Sequence, residues 1–172
     1  MPAASPPASY ELFVGVDIAA VTATVSWQTS KQKPNKPLTI EQTPEGFSGL
    51  HQRLMKTGVK AQQILVVLEA TGIYWLSFAT FFSRQGYSVS VVNPAQAHYF
   101  AKALLKRAKT DAIDAQTLTE LAVLLQPELW TPPPAIYEEL EQRLRQRDDL
   151  LLMRGQLRNQ LHALDHMPVK VA

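Results

Sequence analysis

The chain has 172 residues, of which 46% are hydrophobic, and its formal net charge is only +2. This length suits one domain with an appendage, and the apolar share is enough for a sizeable core. No uncharged apolar run reaches the roughly 18 residues of a membrane span, and the absence of cysteine excludes disulfides and thiolate metal sites and fits a reducing cytosol.

The first part of the chain predicts a leader followed by a β-meander. Residues 1–10 are rich in Pro, Ala and Ser and lack the basic and apolar regions of a secretory signal, so we expect them to be disordered. Residues 12–28 predict two strands joined by a short connection. The first strand is apolar and valine-rich, as in a buried central strand, and the second alternates polar with apolar residues. Residues 38–43 predict a third strand.

Helices and strands alternate next. The predicted elements are a helix over 43–58, a strand over 63–71, a helix over 72–86 and a strand over 87–94. Thr43 is suited to cap the first helix and Gly58 to end it. The strand over 63–71 is the most apolar run in the chain and carries Glu69 near its end, which indicates a central parallel strand.

Only helices are predicted after residue 94. Residues 95–107 and 111–126 predict two of them, with Thr110 as a candidate cap of the second, and these helices would complete a domain over 11–126. Prolines at 132–134 cannot continue a helix, so residues 127–135 are predicted to be a linker. Residues 136–166 then predict one long helix, whose leucine spacing is compatible with a coiled coil but is not a strict zipper.

This order of elements predicts an α/β fold. A meander followed by strands with crossover helices gives a mixed sheet flanked by helices, as in the ribonuclease-H-like fold. Sites in open sheets of this type form at the carboxyl ends of the central strands.

Four carboxylates are placed to meet at that edge. Asp17 lies in the first strand and Glu69 ends a buried one, while Asp111 and Asp114 share a helix face at i, i+3 spacing. Converging acids repel each other, and two divalent cations held by carboxylate oxygens would relieve the repulsion. A metal pair of this kind can catalyse phosphodiester displacement.

Cations precede the two helical acids. Lys102, Lys106, Arg107 and Lys109 are candidate phosphate contacts that would lead a nucleic-acid strand to the metals. Structural explanations compete with these roles. A basic run is often a solvated surface, and acids in the first turn of a helix favour its macrodipole. Asp17 could end a strand, and Glu69 could cap the next helix.

Several segments resemble a known family. They are "GVDIA", "LEATGIYW", "VVNPAQAHYFAKA" and "KTDAIDAQTLTELA". Over about residues 11–166, the chain resembles the N-terminal, RuvC-like domain of the DEDD transposases of bacterial insertion sequences, whose better-known members are recombinases guided by a bridge RNA.

The resemblance implies that Asp17, Glu69, Asp111 and Asp114 are catalytic ligands of Mg²⁺ or Mn²⁺, with two ions bound. It implies DNA and a structured guide RNA as partners, a homodimer or higher oligomer formed through residues 136–166, and a location in the bacterial cytoplasm. Family members also carry a C-terminal transposase domain with a nucleophilic serine. We therefore expect this chain to be an N-terminal fragment, in which DNA strand cleavage and exchange would be incomplete.

Other functions compete with this interpretation. A sugar-kinase or actin-like ATPase shares the core fold but needs a glycine-bearing phosphate loop, where this chain has "DIAAVTATV". A resolvase-like nuclease is a second alternative. A third is a non-catalytic nucleic-acid-binding dimerisation module whose acids are only structural, and metal titration separates this one from the recombinase.

Overall fold

The computed structural model describes residues 9–105, 110–132 and 134–165. In chain order the elements are β1 (Leu12–Ile18), β2 (Thr22–Gln28), β3 (Leu38–Glu41), α1 (Pro44–Met55), a short 3₁₀ turn (Ala61–Gln63), β4 (Ile64–Glu69), α2 (Trp75–Arg84), β5 (Ser88–Val92), α3 (Pro94–Ala103), α4 (Asp111–Leu125) and α5 (Ala135–Asp165). The order predicted from the sequence is the one observed. The predicted disordered leader, except for its last two residues, lies outside the described residues.

The five strands form one mixed sheet in the order β3-β2-β1-β4-β5. β2 pairs antiparallel with both β1 and β3, whereas β4 pairs parallel with β1 and with β5. A hairpin meander on one side and crossover helices on the other produce this arrangement. The predicted ribonuclease-H-like α/β fold is confirmed.

Each face of the sheet carries its own apolar core. On one face, α1 and α2 pack over β1, β2 and β4 through side chains such as Phe47, Leu50 and Phe78. On the other face, α3 and α4 pack over the inner strands through residues such as Leu118 and Leu121. Both faces of β1 and β4 are therefore covered, which explains why these strands are almost continuously apolar.

Helix ends follow local capping chemistry and make several helices shorter than predicted. Thr43 accepts a hydrogen bond from Gly46 N at 3.1 Å and caps α1, as expected. The helix ends at Met55 and not at Gly58, which has φ +81° in the turn that follows. α2 begins at Trp75 and not at residue 72, because Gly72 lies in a turn with φ +62°.

The chain divides into two compact units, residues 1–132 and 133–172. The division falls within the predicted linker over 127–135, whose role as a domain boundary stays a prediction. The second unit contains α5, a 31-residue helix whose Arg143 forms an ion pair with Glu139 at 2.6 Å. Within the part of the chain that the structure describes, no helix combines the length and the apolar character needed to cross a membrane.

Candidate active site

Asp17 and Glu69 lie next to each other at the carboxyl ends of two central strands. The parallel pairing of β1 with β4 is registered up to Val16 opposite Leu68, and the next residue on each strand is an acid. Neighbouring strands are about 4.8 Å apart. Both side chains are half-buried. The sequence prediction that these two acids share one edge of the sheet therefore agrees with the strand register.

Both acids belong to the sheet face covered by α4. On β1, Phe13 packs into the core on that face, and on β4 Leu65 and Val67 do the same. Side chains alternate between faces with a period of two residues, so Asp17 and Glu69 project to the same side as these three.

Gly15 allows α4 to lie unusually close to β1. A Cβ at this position would be 2.6 Å from Thr119 Oγ1 and closer still to Thr119 N and Ala115 O. The buried Thr119 hydroxyl lies 3.1 Å from Ser26 O and 2.8 Å from Ala115 O, within hydrogen-bonding distance of both. The helix is thus seated directly on the backbone of β1 and β2, with no side chain between them at Gly15.

This contact fixes the direction in which α4 crosses the sheet. Ala115 lies over Gly15, whereas Leu121 and Ala122, further along the helix, pack in the core that contains Phe13. The helix therefore runs antiparallel to β1, and its first turn lies toward the end of the strand that carries Asp17.

The first turn of α4 holds the other two acids. Thr110 caps the helix as predicted, accepting a hydrogen bond from Ile113 N at 3.3 Å, while Asp114 N donates to Thr110 O at 2.8 Å. Asp114 precedes Leu118 by one turn on the helix stripe that packs near β4. It is half-buried, whereas Asp111 is exposed.

Asp111 lies toward β2 and β3. It lines an open cavity of about 480 Å³ together with Thr24, Thr39 and Thr110. Thr24 is the residue of β2 directly opposite Asp17, and its hydroxyl lies 3.4 Å from that of Thr39. Asp17 thus lies between Glu69 on one neighbouring strand and the cavity that contains Asp111 on the other side.

The acids surround one edge of the sheet but do not form a ready-made metal cluster. Among residues 9–105, 110–132 and 134–165, no group of three or more His, Cys, Asp or Glu side chains is arranged to hold a metal ion. The Glu69 carboxylate accepts a hydrogen bond from the Thr71 hydroxyl at 2.5 Å. The assignment of Asp17, Glu69, Asp111 and Asp114 as metal ligands stays a prediction.

The predicted nucleic-acid contacts are described only in part. Lys102 is exposed in the last turn of α3. Lys106, Arg107 and Lys109 lie outside the described residues, so their predicted roles rest on the sequence alone.

Two structural features of the site were missed by reasoning from the sequence. Thr24 and Thr39 looked like ordinary strand residues, and only the strand pairing places them beside the acids. Gly15 lies in an apolar strand, and the sequence signal for its close contact is the glycine itself, since a glycine inside a strand can indicate close approach of another backbone.

Comparison with known proteins identifies the family. The family model described as transposase, for DEDD transposases of the IS110 type, matches residues 14–165. The chain belongs to this transposase family, as the sequence resemblance predicted.

Two curated relatives are similar over most of the chain. The pilin gene-inverting protein of Moraxella lacunata is 32% identical over 136 residues, and that of Moraxella bovis is 31% identical over 136 residues. The alignments cover 79% of this chain and 42% of each relative. The chain therefore spans less than half of the length of these relatives.

Solved structures with a similar fold include Holliday junction resolvases. Thermus thermophilus RuvC in complex with a Holliday junction substrate has a TM-score of 0.49 at 11% identity, with 70% of this chain and 100% of that chain covered. The fowlpox virus Holliday junction resolvase has a TM-score of 0.42 at 16% identity, with 67% of this chain and 98% of that chain covered.

Proposed function

We propose that this chain is the RuvC-like catalytic part of a DNA transposase or recombinase and acts in DNA strand cleavage and exchange. The observation that carries the proposal is the placement of Asp17 and Glu69, each one residue beyond the last registered pair of β1 and β4, with the first turn of α4 toward the same edge. Family membership supports a role in transposition.

In this proposal Asp17, Glu69, Asp111 and Asp114 hold Mg²⁺ or Mn²⁺, with two ions bound. The residues fit such ions in donor chemistry, because carboxylate oxygens are preferred ligands, and in placement around one sheet edge. The side chains must still move closer together, since no three of them already form a cluster within the described residues. When bound, such ions activate water and stabilise the charge that develops on a phosphodiester.

The protein's own contribution is to fix the positions from which the acids act. Asp17 is held by a central strand that is paired on both sides. The Thr71 hydroxyl orients the Glu69 carboxylate, and the Thr110 cap sets the start of the helix that carries Asp111 and Asp114. Bond cleavage needs this positioning because a displacement of about 1 Å can cost about a hundredfold in rate.

Nucleic acid is the proposed partner at this edge. Lys102, Lys106, Arg107 and Lys109 would contact phosphates of DNA or of a structured guide RNA. The exposure of Lys102 on α3 supports its availability for such a contact. Phosphate contacts of this type predict binding that weakens steeply with salt.

Self-association is proposed for the second unit. Along α5, exposed apolar side chains include Leu150, Leu152, Leu157, Leu161 and Leu164. Water-exposed leucines at this density favour burial against another apolar surface. We propose that a second copy of α5 provides that surface in a coiled-coil homodimer or higher oligomer.

A non-catalytic nucleic-acid-binding dimerisation module is the second candidate. It is favoured by the lack of a preformed group of three metal-binding side chains in the described part of the chain. Under this alternative, the acids serve the fold alone, and divalent ions change neither its stability nor its affinity for DNA.

Calorimetric titration with Mn²⁺, with and without a DNA duplex, distinguishes the two functions. The recombinase predicts binding that falls at least about tenfold in Asp17→Asn and in Glu69→Gln, because each loses an anionic ligand. Glu128→Gln, which removes an exposed acid elsewhere, is the matched control and should bind as the wild type does. Wild-type protein that takes up no Mn²⁺ in either condition would support the non-catalytic module.

A further inference from the structure

A second open cavity lies between α1 and the end of β2. It has a volume of about 590 Å³ and is lined by Trp27, Gly49, Gln52, Arg53 and Lys56. This size is in the range of small-ligand sites. The wall combines one half-buried indole, one amide and two cations, and none of the described residues that line it carries a carboxylate.

Gly49 leaves this cavity open because it has no side chain, and close packing does not require a glycine at this position. A Cβ added at Gly49 would meet no atom within 4 Å among the described residues, whereas at Gly46, one turn earlier, it would collide with the Glu41 backbone. A glycine inside a helix is less stable than alanine by roughly 0.5–1 kcal/mol. Because Gly49 has no side chain, there is free space beside Trp27.

The cations around the cavity are available for an anionic partner. Arg53 and Lys56 are exposed, and neither has a carboxylate within 4.0 Å in the described parts of the chain. The adjoining loop is also basic, since residues 29–37 contain three lysines and no acid. Two hydrogen bonds hold this loop against the cavity. The backbone N of Asn35 donates to Trp27 O at 3.0 Å, and the side-chain Oδ1 of Asn35 accepts from Trp27 N at 2.7 Å.

This basic cavity is separate from the acidic edge. Trp27 pairs with Val14 and packs on the core under α1 and α2, whereas Asp17 lies on the α4 face. Trp27 is also three register positions before Asp17 along β1, which is about 10 Å at 3.3 Å per residue. A ligand bound in this cavity would lie on the opposite face of the sheet from the four acids.

We propose that this cavity binds an unpaired nucleotide of a single-stranded nucleic-acid segment. The base would stack on Trp27 in the space left by Gly49, and the flanking phosphates would contact Arg53 and Lys56. Aromatic stacking with neighbouring cations is the chemistry by which proteins hold single strands without reading sequence. The site extends the proposed function with a second nucleic-acid contact that needs no metal.

The test is fluorescence anisotropy with labelled single strands of about a dozen nucleotides, oligothymidylate and oligouridylate, and with a duplex of equal length, in EDTA. Gly49→Leu fills the cavity at a half-buried helix position where a Cβ meets no described atom within 4 Å, and it should weaken single-strand binding roughly tenfold. Arg53→Ala with Lys56→Ala should lower the salt slope by about 1.4, since each lost phosphate contact on a single strand contributes about 0.7.

Two matched controls make the result specific. Arg143→Ala with Arg147→Ala lowers the net charge equally in the other unit, and Gly155→Leu makes the same glycine substitution where a Cβ also meets no described atom within 4 Å. Both control variants should leave single-strand affinity within about twofold of the wild type. The larger loss in the DNA or the RNA arm identifies which strand the site prefers.

The proposal is overturned if Gly49→Leu binds as tightly as Gly155→Leu, or if the Arg53 and Lys56 variant loses no more than its charge-matched control. A loss of duplex affinity in the Arg53 and Lys56 variant as large as its loss for both single strands would also overturn it. Because EDTA is present, these outcomes are independent of the metal titration of the acidic edge. Misfolding of Gly49→Leu would leave the Arg53 and Lys56 comparison decisive.

Discussion

Gly15→Ala tests whether the close contact between α4 and β1 determines the geometry of the acidic edge. The added Cβ would be 2.6 Å from Thr119 Oγ1 and nearer still to two backbone atoms of α4, whereas 3.4 Å is an ordinary van der Waals contact. Because the backbone cannot rotate away as a side chain can, α4 must retreat from β1 by about 1 Å.

The expected cost in stability is that of an overpacked core. Such insertions typically cost about 1–3 kcal/mol, and here the displaced helix also weakens the hydrogen bond between the Thr119 hydroxyl and Ser26 O. A retreat of α4 moves Asp111 and Asp114 away from Asp17. We therefore expect the Mn²⁺ affinity of Gly15→Ala to fall even under conditions in which the variant is fully folded.

Urea denaturation and Mn²⁺ calorimetry on the same samples measure the two effects. Gly49→Ala is the matched control, because a Cβ there meets no atom of the described residues within 4 Å and the helix should gain roughly 0.5–1 kcal/mol. Adding Thr119→Ala to Gly15→Ala should not restore metal binding, since the main conflict is with the backbone of α4.

Two results would refute this reasoning. Gly15→Ala with wild-type stability and wild-type Mn²⁺ affinity would show that α4 is not constrained by the contact. Full rescue by Thr119→Ala would show that the conflict is with one side chain and that the helix position is not set by backbone approach.

Three further predictions concern other parts of the fold. Burial raises the pKa of Tyr87 to about 12, whereas the phenol of the unfolded chain ionises near pH 10. The free energy of unfolding should therefore fall by up to about 1.4 kcal/mol per pH unit between pH 10 and 12. Tyr87→Phe should remove this fall when denaturation is measured as a function of pH. At neutral pH the same variant should lose about 1 kcal/mol, because the Tyr87 hydroxyl lies 2.9 Å from His51 Nδ1. Phe78→Ala should cost about 3–5 kcal/mol in urea denaturation, since Phe78 is fully buried; a loss below about 1 kcal/mol would contradict its place in the core. Leu157→Lys with Leu161→Lys should shift sedimentation toward the monomer, and an unchanged oligomer would exclude this stretch of α5 as the interface.

The sequence alone determined the order of the elements and the type of fold. Valine-rich runs, alternation in β2 and the caps at Thr43 and Thr110 are local signals, and the structure has each of them where it was predicted. The ends of helices were less predictable. Gly58 and Gly72 lie in left-handed turns outside the helices. A glycine indicates that a helix boundary is near, but it does not fix the residue at which the helix begins or ends.

The sequence also identified the acids at the sheet edge, since carboxylates near the ends of apolar strands are rare and chemically specific. Tertiary structure alone decided how they are grouped. The strand register placed Asp17 between Glu69 and Thr24, and the missing side chain at Gly15 seated α4 over β1. Distances between residues far apart in the chain depend on packing of whole elements, which no local pattern encodes.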